Sequence, residues 1–410
     1  MKRTVVLLFL LSASIVLTAQ RPYRSYQTQA FQKQLLAENP ELKQLIREAE
    51  RRITAFRAVD MTTEKTIPII FHIIHQSSQM PIGTDQIQSQ IDALNRDFSL
   101  IEESDAEVMK RSGFDELRAD DTQIRFCLAA NQGIQYTPTN QTNFGVDEQL
   151  PTISPSIEPQ HYLNIWIADL ADTVSGYALY PGRARANDGI IIDVDYFGTI
   201  NRQAPYNEGK TLTHLVGNYL GLYDLWSESG CQDDYIADTP IHNAPNHKCP
   251  SYRHVSICPQ EDRAEMYMNF MDNTDDACLS MFTHQQVRRM RAVLSTIRKD
   301  LGQEPSECSN TMNDLAIEVR NTSDESIRPT YHLELYPNPS KAQFHIAIKG
   351  ASNQQALLHI YDANGRLLWQ QTVLSETQTL IDGSNWQNGI YIARTTIDGQ
   401  VLSHRFTILR

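Results

Sequence analysis

The sequence predicts an α/β (α+β) domain with a twisted sheet and a central helix, followed by a small all-β sandwich. Dense β-branched runs alternate with amphipathic stretches up to about residue 305, which is typical of a sheet covered by helices. An apolar helical run that ends at Gly221 lies between the predicted strands and a closing helix. From Leu335 onward, Asn-Pro, Asn-Gly and Asp-Gly turns separate short apolar runs, as in a β-sandwich. The 410 residues therefore contain more than one domain.

Helical spacing of apolar residues predicts each helix in chain order. Residues 20–60 are polar and helix-prone, and we interpret them as a helical pro-segment. Residues 84–99 predict an amphipathic helix that crosses back over the sheet. Residues 211–220 form the central helix, which Gly221 ends. Residues 283–301 predict the closing helix behind a threonine N-cap.

Four runs rich in β-branched residues predict strands, and the first is apolar enough to be buried on both faces. These runs are residues 67–75, 124–128, 162–167 and 189–193. Residues 306–333 are polar and predict a linker. The sandwich then occupies residues 334–410.

Composition and the N-terminal residues limit the partners and the compartment. A net charge of −13 argues against nucleic acid, because little positive charge is available to neutralise phosphates. Residues 1–19 have a basic start, an apolar run and small residues, which predicts a signal peptide; the alternative is a membrane anchor, for which the run is short. We expect no stable membrane span after its removal. The six cysteines of an exported protein predict disulfides.

The central helix fits the frame of a zinc-protease pattern but not its chemistry. In that pattern two histidines lie one turn apart, a glutamate base follows the first, and a third histidine follows a glycine turn. His214 and Gly221 stand at the first ligand and the glycine. Leu215 replaces the base, Asn218 the second ligand and Asp224 the third. An amide is a poor match for imidazole, and an alkyl group cannot deprotonate water, so the pattern predicts a vestigial zinc site.

Several motifs around this helix resemble the metzincin metalloproteases, and within them the pappalysin family with its secreted bacterial members. The motifs occur in the order of the family: an opening strand at 67–75, an edge strand at 176–181, the helix at 211–223, Asp238-Thr239-Pro240, and a Met-turn at 269–272 that contains Met271. The resemblance covers about residues 61–305. It implies a metzincin-like catalytic-type domain, a zinc cofactor and endopeptidase activity in the family.

The resemblance also implies roles for residues outside the helix. Asn273 stands where the family places a tyrosine that stabilises the oxyanion. Family pro-segments carry an Arg-x-Cys-x-Thr motif whose thiolate caps the zinc. Residues 24–28 match this motif here, except that Tyr26 replaces the cysteine. Asp276 matches the residue that selects arginine on the primed side of the cleaved bond. If Asp276 is buried and unpaired, the cleft could bind basic peptides.

The cysteine-rich region after the central helix predicts a cation site and disulfides. Asp233, Asp234 and Asp238 beside Thr239 supply oxygen ligands of the kind that calcium prefers. The resemblance implies Asp234 and the Thr239 carbonyl as the calcium ligands; the alternative is a solvated acidic loop. Spacing alone leaves three connectivities for the four clustered cysteines. The resemblance implies the pairs Cys231–Cys258 and Cys249–Cys278. Cys127 and Cys308 remain, and we pair them with each other.

Residues 334–410 resemble the sorting domain that sends Bacteroidetes proteins through the type IX secretion system. The likeness rests on residues 335–340, 360–366, 389–391 and the basic terminus at 406–410. The alternative is a carbohydrate-binding sandwich. The resemblance implies the type IX secretion machinery as a partner and a secreted or cell-surface location.

We therefore expect a secreted pseudoprotease that does not hold zinc tightly and binds basic, arginine-containing peptides or proteins through its cleft. One alternative is an active zinc-dependent metalloendopeptidase that recruits His242, His247 or His254 as a non-standard ligand; otherwise these three are exposed loop side chains. Another alternative is a purely structural surface protein. His214 itself could be a buried histidine satisfied by a neighbour.

Overall fold

The structure is a computed structural model, and it divides into two compact units, Met1–Arg320 and Asn321–Arg410. It describes residues 23–76, 82–100, 114–130, 132–182, 187–227, 229–251, 254–259, 261, 263–302, 308, 332–338, 340–349, 355–362, 366–375, 377–397 and 400–409. The predicted signal peptide, most of the predicted linker and the turns at 364–365 and 398–399 lie outside these residues.

The region predicted as a helical pro-segment contains two helices, α1 (Thr28–Glu38) and α2 (Leu42–Ala55). Phe31 and Leu35 recur at one-turn spacing, and both are buried in a cluster with Trp166 and Tyr177 of the sheet. On α2, Ile53 is buried against residues of the closing helix. Both helices are therefore attached to the domain through their apolar faces.

The sheet of the first unit has six strands in the order β2-β1-β4-β6-β5, with β3 also paired to β1. The strands are β1 (Lys65–Gln76), β2 (Ile124–Leu128), β3 (Ile134–Thr139), β4 (Leu163–Ala168), β5 (Gly176–Ala178) and β6 (Gly189–Asp193). All pairs are parallel except β5 with β6. β1 is long because its first half pairs with β2 and its second half with β3. β3 was not predicted, because its sequence lacks the alternation of apolar and polar residues that indicates a strand. Ile134 is its one buried residue.

The remaining helices of this unit are α3 (Thr84–Ser99), α4 (Gln149–Ile153), α5 (Lys210–Tyr219) and α6 (His284–Thr296). The prediction of α3 is confirmed at both ends, and α4 was not predicted. A capping box of Thr283 and Gln286 starts α6. The predicted end at residue 301 was wrong. The helix ends at Thr296, because the backbone N–H groups of Ile297 and Arg298 both donate to the carbonyl of Val293 and close its last turn.

The main core lies between one face of the sheet and helices α3, α5 and α6. All ten residues of α5 are buried, so its side chains are held by packing on every side. The structure contains the three implied disulfides, Cys127–Cys308, Cys231–Cys258 and Cys249–Cys278. The last two staple the loop-rich region between α5 and α6, where regular structure is sparse.

The second unit is all-β, as predicted, with its strands arranged in two antiparallel sheets around a separate core. Its strands are β7 (His332–Tyr336), β8 (Gln343–Lys349), β9 (Gln355–Asp362), β10 (Leu367–Leu374), β11 (Thr379–Asp382), β12 (Gly389–Ile397) and β13 (Gln400–Ile408). One sheet has the order β10-β9-β12-β13 and the other β11-β8-β7. Within the described parts of both units, the helices are too short or too polar to span a bilayer.

Candidate functional site

Helix α5 rests on the predicted Met-turn. A Cβ at Gly217 would lie 2.5 Å from the sulfur of Met271, so the glycine permits a close approach of the helix to this side chain. The Nδ1 atom of His214 lies 2.9 Å from the carbonyl oxygen of Phe270, in the same turn. This framework therefore fixes the orientation of the imidazole ring, as a hydrogen bond to a metal-binding histidine does in zinc enzymes.

The three predicted zinc-ligand positions converge, but they bind one another. Gly221, with φ of +90°, turns the chain after the helix and brings Asp224 back toward it. The Oδ1 atom of Asp224 lies 2.9 Å from Nε2 of His214 and accepts a hydrogen bond of 2.9 Å from Nδ2 of Asn218. A carbonyl and a carboxylate only accept hydrogen bonds, so His214 has an acceptor within hydrogen-bond distance of each ring nitrogen.

This arrangement does not fit zinc. Ligand atoms 2.0–2.2 Å from one tetrahedral zinc lie roughly 3.3 Å apart, and each must present a lone pair. Here the atoms are 2.9 Å apart, and the nitrogen of Asn218 is a donor. Throughout the part of the chain that the structure describes, no cluster of three or more His, Cys, Asp or Glu residues could hold a metal ion. His214 is fully buried and satisfied by neighbours, as the sequence allowed.

Residues 24–29 of the N-terminal segment cover this site. The ring of Tyr26 stacks on His214 with centroids 3.7 Å apart and planes inclined by 4°. Thr28 donates a hydrogen bond of 2.9 Å to the amide oxygen of Asn218, and Gln29 donates one of 2.9 Å to Oδ2 of Asp224. Burial raises the pKa of the Tyr26 hydroxyl, which is buried and without a hydrogen-bond partner among the described residues.

The covering segment continues as a strand-like ribbon along β5. The backbone N–H of Ser175 donates to the carbonyl of Ser25, and that of Gln27 donates to the carbonyl of Gly176, both at 3.0 Å. At the predicted oxyanion position, Asn273 donates a hydrogen bond of 3.0 Å to the carbonyl of Arg24. These contacts were not predicted from the sequence. The available signal was the match of residues 24–28 to a family motif that caps the same site.

The predicted arginine-selecting residue, Asp276, is buried but is not unpaired. Its Oδ1 atom accepts a hydrogen bond of 2.6 Å from the guanidinium of Arg24, and its Oδ2 accepts one of 2.8 Å from the backbone N–H of Glu208. The guanidinium also donates to the carbonyl of Thr274. Both side chains of the ion pair are at most 1% exposed. Asp276 is therefore not available to bind an arginine of another peptide while residues 24–29 stay in place.

The histidines considered as recruited ligands have partners elsewhere. His242 is fully buried, so the expectation of an exposed side chain was wrong for this residue. Its Nε2 atom accepts a hydrogen bond of 2.9 Å from the backbone N–H of Met266, and burial lowers its pKa to about 3. His247 stacks on Tyr23 with centroids 4.1 Å apart. His254 lies 3.4 Å from a carboxylate oxygen of Glu265.

The predicted calcium ligands do not converge on one point. The hydroxyl of Thr283 donates to Asp238 at 2.7 Å, and the hydroxyl of Thr239 donates to Oδ1 of Asp234 at 2.8 Å. The Thr239 carbonyl accepts a hydrogen bond of 2.9 Å from Arg263, which places a positive charge where a calcium ligand was expected. No group of three acidic side chains that could hold a metal ion lies here among the described residues, but Oδ2 of Asp234 is buried without a hydrogen-bond partner among them. Burial is the largest cause that raises the pKa of Asp234, to about 7.

Comparison with known proteins identifies relatives of both units. A family model described as pregnancy-associated plasma protein-A matches residues 152–295, and one for a secretion system C-terminal sorting domain matches residues 334–409. An extracellular metalloprotease of Arthroderma benhamiae is 28% identical over 299 residues, 71% of this chain and 96% of the relative.

Comparison with solved structures also identifies metalloprotease relatives. A promirolysin mutant from Tannerella forsythia is 31% identical with a TM-score of 0.62, and the match covers 68% of this chain and 97% of that chain. Mature mirolysin from Tannerella forsythia in complex with a cleaved peptide is 32% identical with a TM-score of 0.55, over 59% of this chain and 97% of that chain. The sorting domain and the extracellular relatives support a secreted or cell-surface location and the type IX secretion machinery as a partner. The chain thus belongs to the pappalysin family of metalloproteases and carries a type IX secretion sorting domain.

Proposed function

We propose that this secreted family member is a catalytically inactive pseudoprotease whose cleft retains a pocket for arginine. One observation carries the proposal: His214, Asn218 and Asp224 stand at the metal-ligand positions and hydrogen-bond directly to one another. A neutral imidazole with a free lone pair is what zinc requires, and His214 faces an acceptor on each side.

The position of the general base supports the same conclusion. Leu215 is fully buried, and its Cδ1 atom would lie 2.7 Å from a Cβ placed on Gly176 of β5. An aliphatic side chain has no group that could take a proton from water, and general-base catalysis typically contributes 10²–10⁴-fold to rate. Inactivity therefore has two independent causes. The residues at the ligand positions do not form a zinc-binding set, and the residue at the base position cannot take a proton.

The ion pair of Arg24 and Asp276 supports the arginine pocket. Asp276 holds a guanidinium in a buried site, which is the interaction that an arginine side chain of a peptide would make. Asn273 binds the backbone carbonyl of the same residue, so the pocket holds a peptide and not only a side chain. A basic peptide can enter only if residues 24–29 leave, and its apparent affinity is reduced by the fraction of molecules that are closed.

The first experiment measures zinc content and peptide cleavage together. The purified full chain is exposed to excess zinc, dialysed and analysed for bound metal, and a fluorogenic arginine-containing peptide is then added. We expect less than stoichiometric zinc and no cleavage. Stoichiometric tight zinc with cleavage would establish the alternative, an active endopeptidase with a non-standard ligand set.

Two variants separate a missing metal from a covered site. Arg24→Ala weakens the cover without changing a ligand position, and it should still bind no zinc. The combined change Asn218→His and Asp224→His restores imidazoles at the ligand positions and serves as a positive control for the metal assay. Leu215→Glu alone should restore no activity, because it supplies a base without a metal.

The second experiment tests the pocket with an arginine-containing peptide and a matched peptide with norleucine in place of arginine. We expect Arg24→Ala to bind the arginine peptide more tightly than the unchanged protein, and the additional change Asp276→Ala to abolish that gain. Equal binding of both peptides by Arg24→Ala would contradict an arginine pocket and would favour a purely structural role.

A further inference from the structure

The N-terminal segment occupies the cleft as an added strand. β5 is the edge strand of the sheet, and residues 25–27 pair with it in parallel through backbone hydrogen bonds. Alternate side chains of an extended chain face the same side, so residues 24, 26 and 28 form one set of contacts with the domain. Addition of a strand to a sheet edge is a common mode of peptide recognition, in which pockets for alternate side chains give specificity.

The vestigial zinc site receives the middle side chain of this set. The Tyr26 ring and the His214 imidazole are nearly coplanar and overlap face to face, with centroids 3.7 Å apart. The carbonyl of Phe270 and the carboxylate of Asp224 hold the imidazole at its two nitrogens, so it presents a fixed face to the segment. A flat ring makes this contact over its whole face, whereas a short or branched side chain cannot. The site therefore favours an aromatic residue.

The third side chain of the set uses its hydroxyl in two directions. Thr28 donates a hydrogen bond of 2.9 Å to the amide oxygen of Asn218 and accepts one of 3.2 Å from the backbone N–H of Ala178. The amide nitrogen of Asn218 donates to Leu222 and Asp224, which leaves its oxygen facing the segment. A side chain without a hydroxyl would deprive a buried donor and a buried acceptor of this partner. The position therefore favours serine or threonine.

The first side chain of the set occupies the arginine pocket of the proposed function. The Nη1 atom of Arg24 donates to Asp276 at 2.6 Å and to the hydroxyl of Thr211 at 3.3 Å. Its Cζ atom lies 4.5 Å from the centroid of the Tyr206 ring. A planar guanidinium makes the hydrogen bonds and the face contact together, which an ammonium group does not.

We propose that the cleft selects extended peptides with the pattern arginine, any residue, aromatic residue, any residue, serine or threonine, and that the vestigial zinc site is the subsite for the aromatic side chain. Such a peptide takes the place of residues 24–28 along β5, so the segment competes with it from within the same chain. This inference rests on the proposed function, because the pattern begins in the arginine pocket. The aromatic contact is separate from that pocket, so the two can fail separately.

The test uses the full chain with Arg24→Ala, Tyr26→Ala and Thr28→Ala combined, so that its own segment competes weakly. Isothermal titration measures binding of the blocked peptide Arg-Ser-Tyr-Gln-Thr, which has the sequence of residues 24–28. We expect saturable binding, at least about tenfold tighter than to the unchanged protein. Alanine in place of the peptide tyrosine should weaken binding about tenfold or more, whereas phenylalanine should bind at least as tightly.

The matched control is alanine in place of the peptide glutamine, which should leave the affinity unchanged. No binding of the tyrosine peptide, or equal binding of the tyrosine and alanine peptides, would overturn the proposal. A peptide with norleucine in place of arginine tests the proposed function separately. If it binds as tightly as the arginine peptide while the tyrosine contrast persists, the arginine pocket is refuted and the aromatic subsite is supported.

Single variants keep the test valid if the triple variant does not fold. Arg24 is buried in the docked segment, so tryptic cleavage after it reports release of the segment. We expect Tyr26→Leu to be cleaved there several-fold faster than the unchanged protein, and Tyr26→Phe to be cleaved no faster. Equal protection of the leucine and phenylalanine variants would overturn the aromatic subsite.

Discussion

Asp276 and Asp234 are buried aspartates between α5 and α6, 1% and 6% exposed, and of the two only Asp276 has a charged partner among the described residues. Arg24 of the N-terminal segment pairs with Asp276 at 2.6 Å. At Asp234, Oδ2 has no hydrogen-bond partner within the described residues. The N-terminal segment therefore supplies a charged partner to Asp276 but not to Asp234.

The difference also has an electrostatic consequence. A buried carboxylate without a compensating cation is expensive to ionise, and the pKa of Asp234 is accordingly raised to about 7. A carboxylate paired with arginine avoids that cost as long as the arginine stays. Stability should therefore depend on the partner at one aspartate and on pH at the other. Two predictions test this contrast, and a third tests the segment that supplies the partner.

The largest effect is expected from Asp276→Ala. It leaves the Arg24 guanidinium buried without its carboxylate, which typically costs about 3–5 kcal/mol of unfolding free energy. Urea unfolding measures this loss, and limited proteolysis of residues 20–29 reports whether the segment is released instead. The control is Asp195→Ala, since this carboxylate is 62% exposed and 3.7 Å from Arg202, and it should cost at most about 1 kcal/mol. A loss below 1 kcal/mol with the segment still protected would show that the ion pair does not fix it.

Replacement of Tyr26 should have an intermediate effect and tests the cover over His214. Tyr26→Ala removes the stacked ring and should lower the unfolding free energy by about 2–4 kcal/mol. Tyr26→Phe keeps the ring and removes a buried hydroxyl that has no hydrogen-bond partner in the described chain, so it should raise stability by up to about 1 kcal/mol. Thermal or urea unfolding measures both variants. A marked loss in the phenylalanine variant would mean that the hydroxyl has a partner.

The smallest effect is a pH dependence at Asp234. Its folded-state pKa of about 7 lies above the unfolded value near 3.9, so the protonated form is favoured in the folded protein. The unchanged protein should therefore lose stability relative to Asp234→Asn as pH rises, by about 1 kcal/mol between pH 6 and 8. Urea unfolding at the two pH values measures this difference, with Asp115→Asn at an exposed position as the control. A difference that is constant with pH would refute the raised pKa.

Several features followed directly from local sequence. The strand prediction for residues 124–128 and the helix prediction for 84–99 are confirmed at both ends, because the periodicity of apolar residues specifies such elements locally. β3 was missed, since a strand held mainly by pairing with β1 carries little apolar alternation. The end of α6 was predicted too late, because the backbone bonds of Ile297 and Arg298 to the Val293 carbonyl that close the helix are not visible in the spacing of apolar residues.

The sequence by itself determined the fold class, the order of the main elements and the residues that replace the base and ligands of the zinc site. It did so because periodicity and residue chemistry are local properties. Only the tertiary structure decided that His214, Asn218 and Asp224 bind one another, that Arg24 pairs with Asp276, and that one oxygen of Asp234 is buried without a hydrogen-bond partner among the described residues. These outcomes depend on which groups are buried together, and such groups can be separated by up to 252 positions in the sequence. A charge that is buried must be paired, whereas an exposed one need not be.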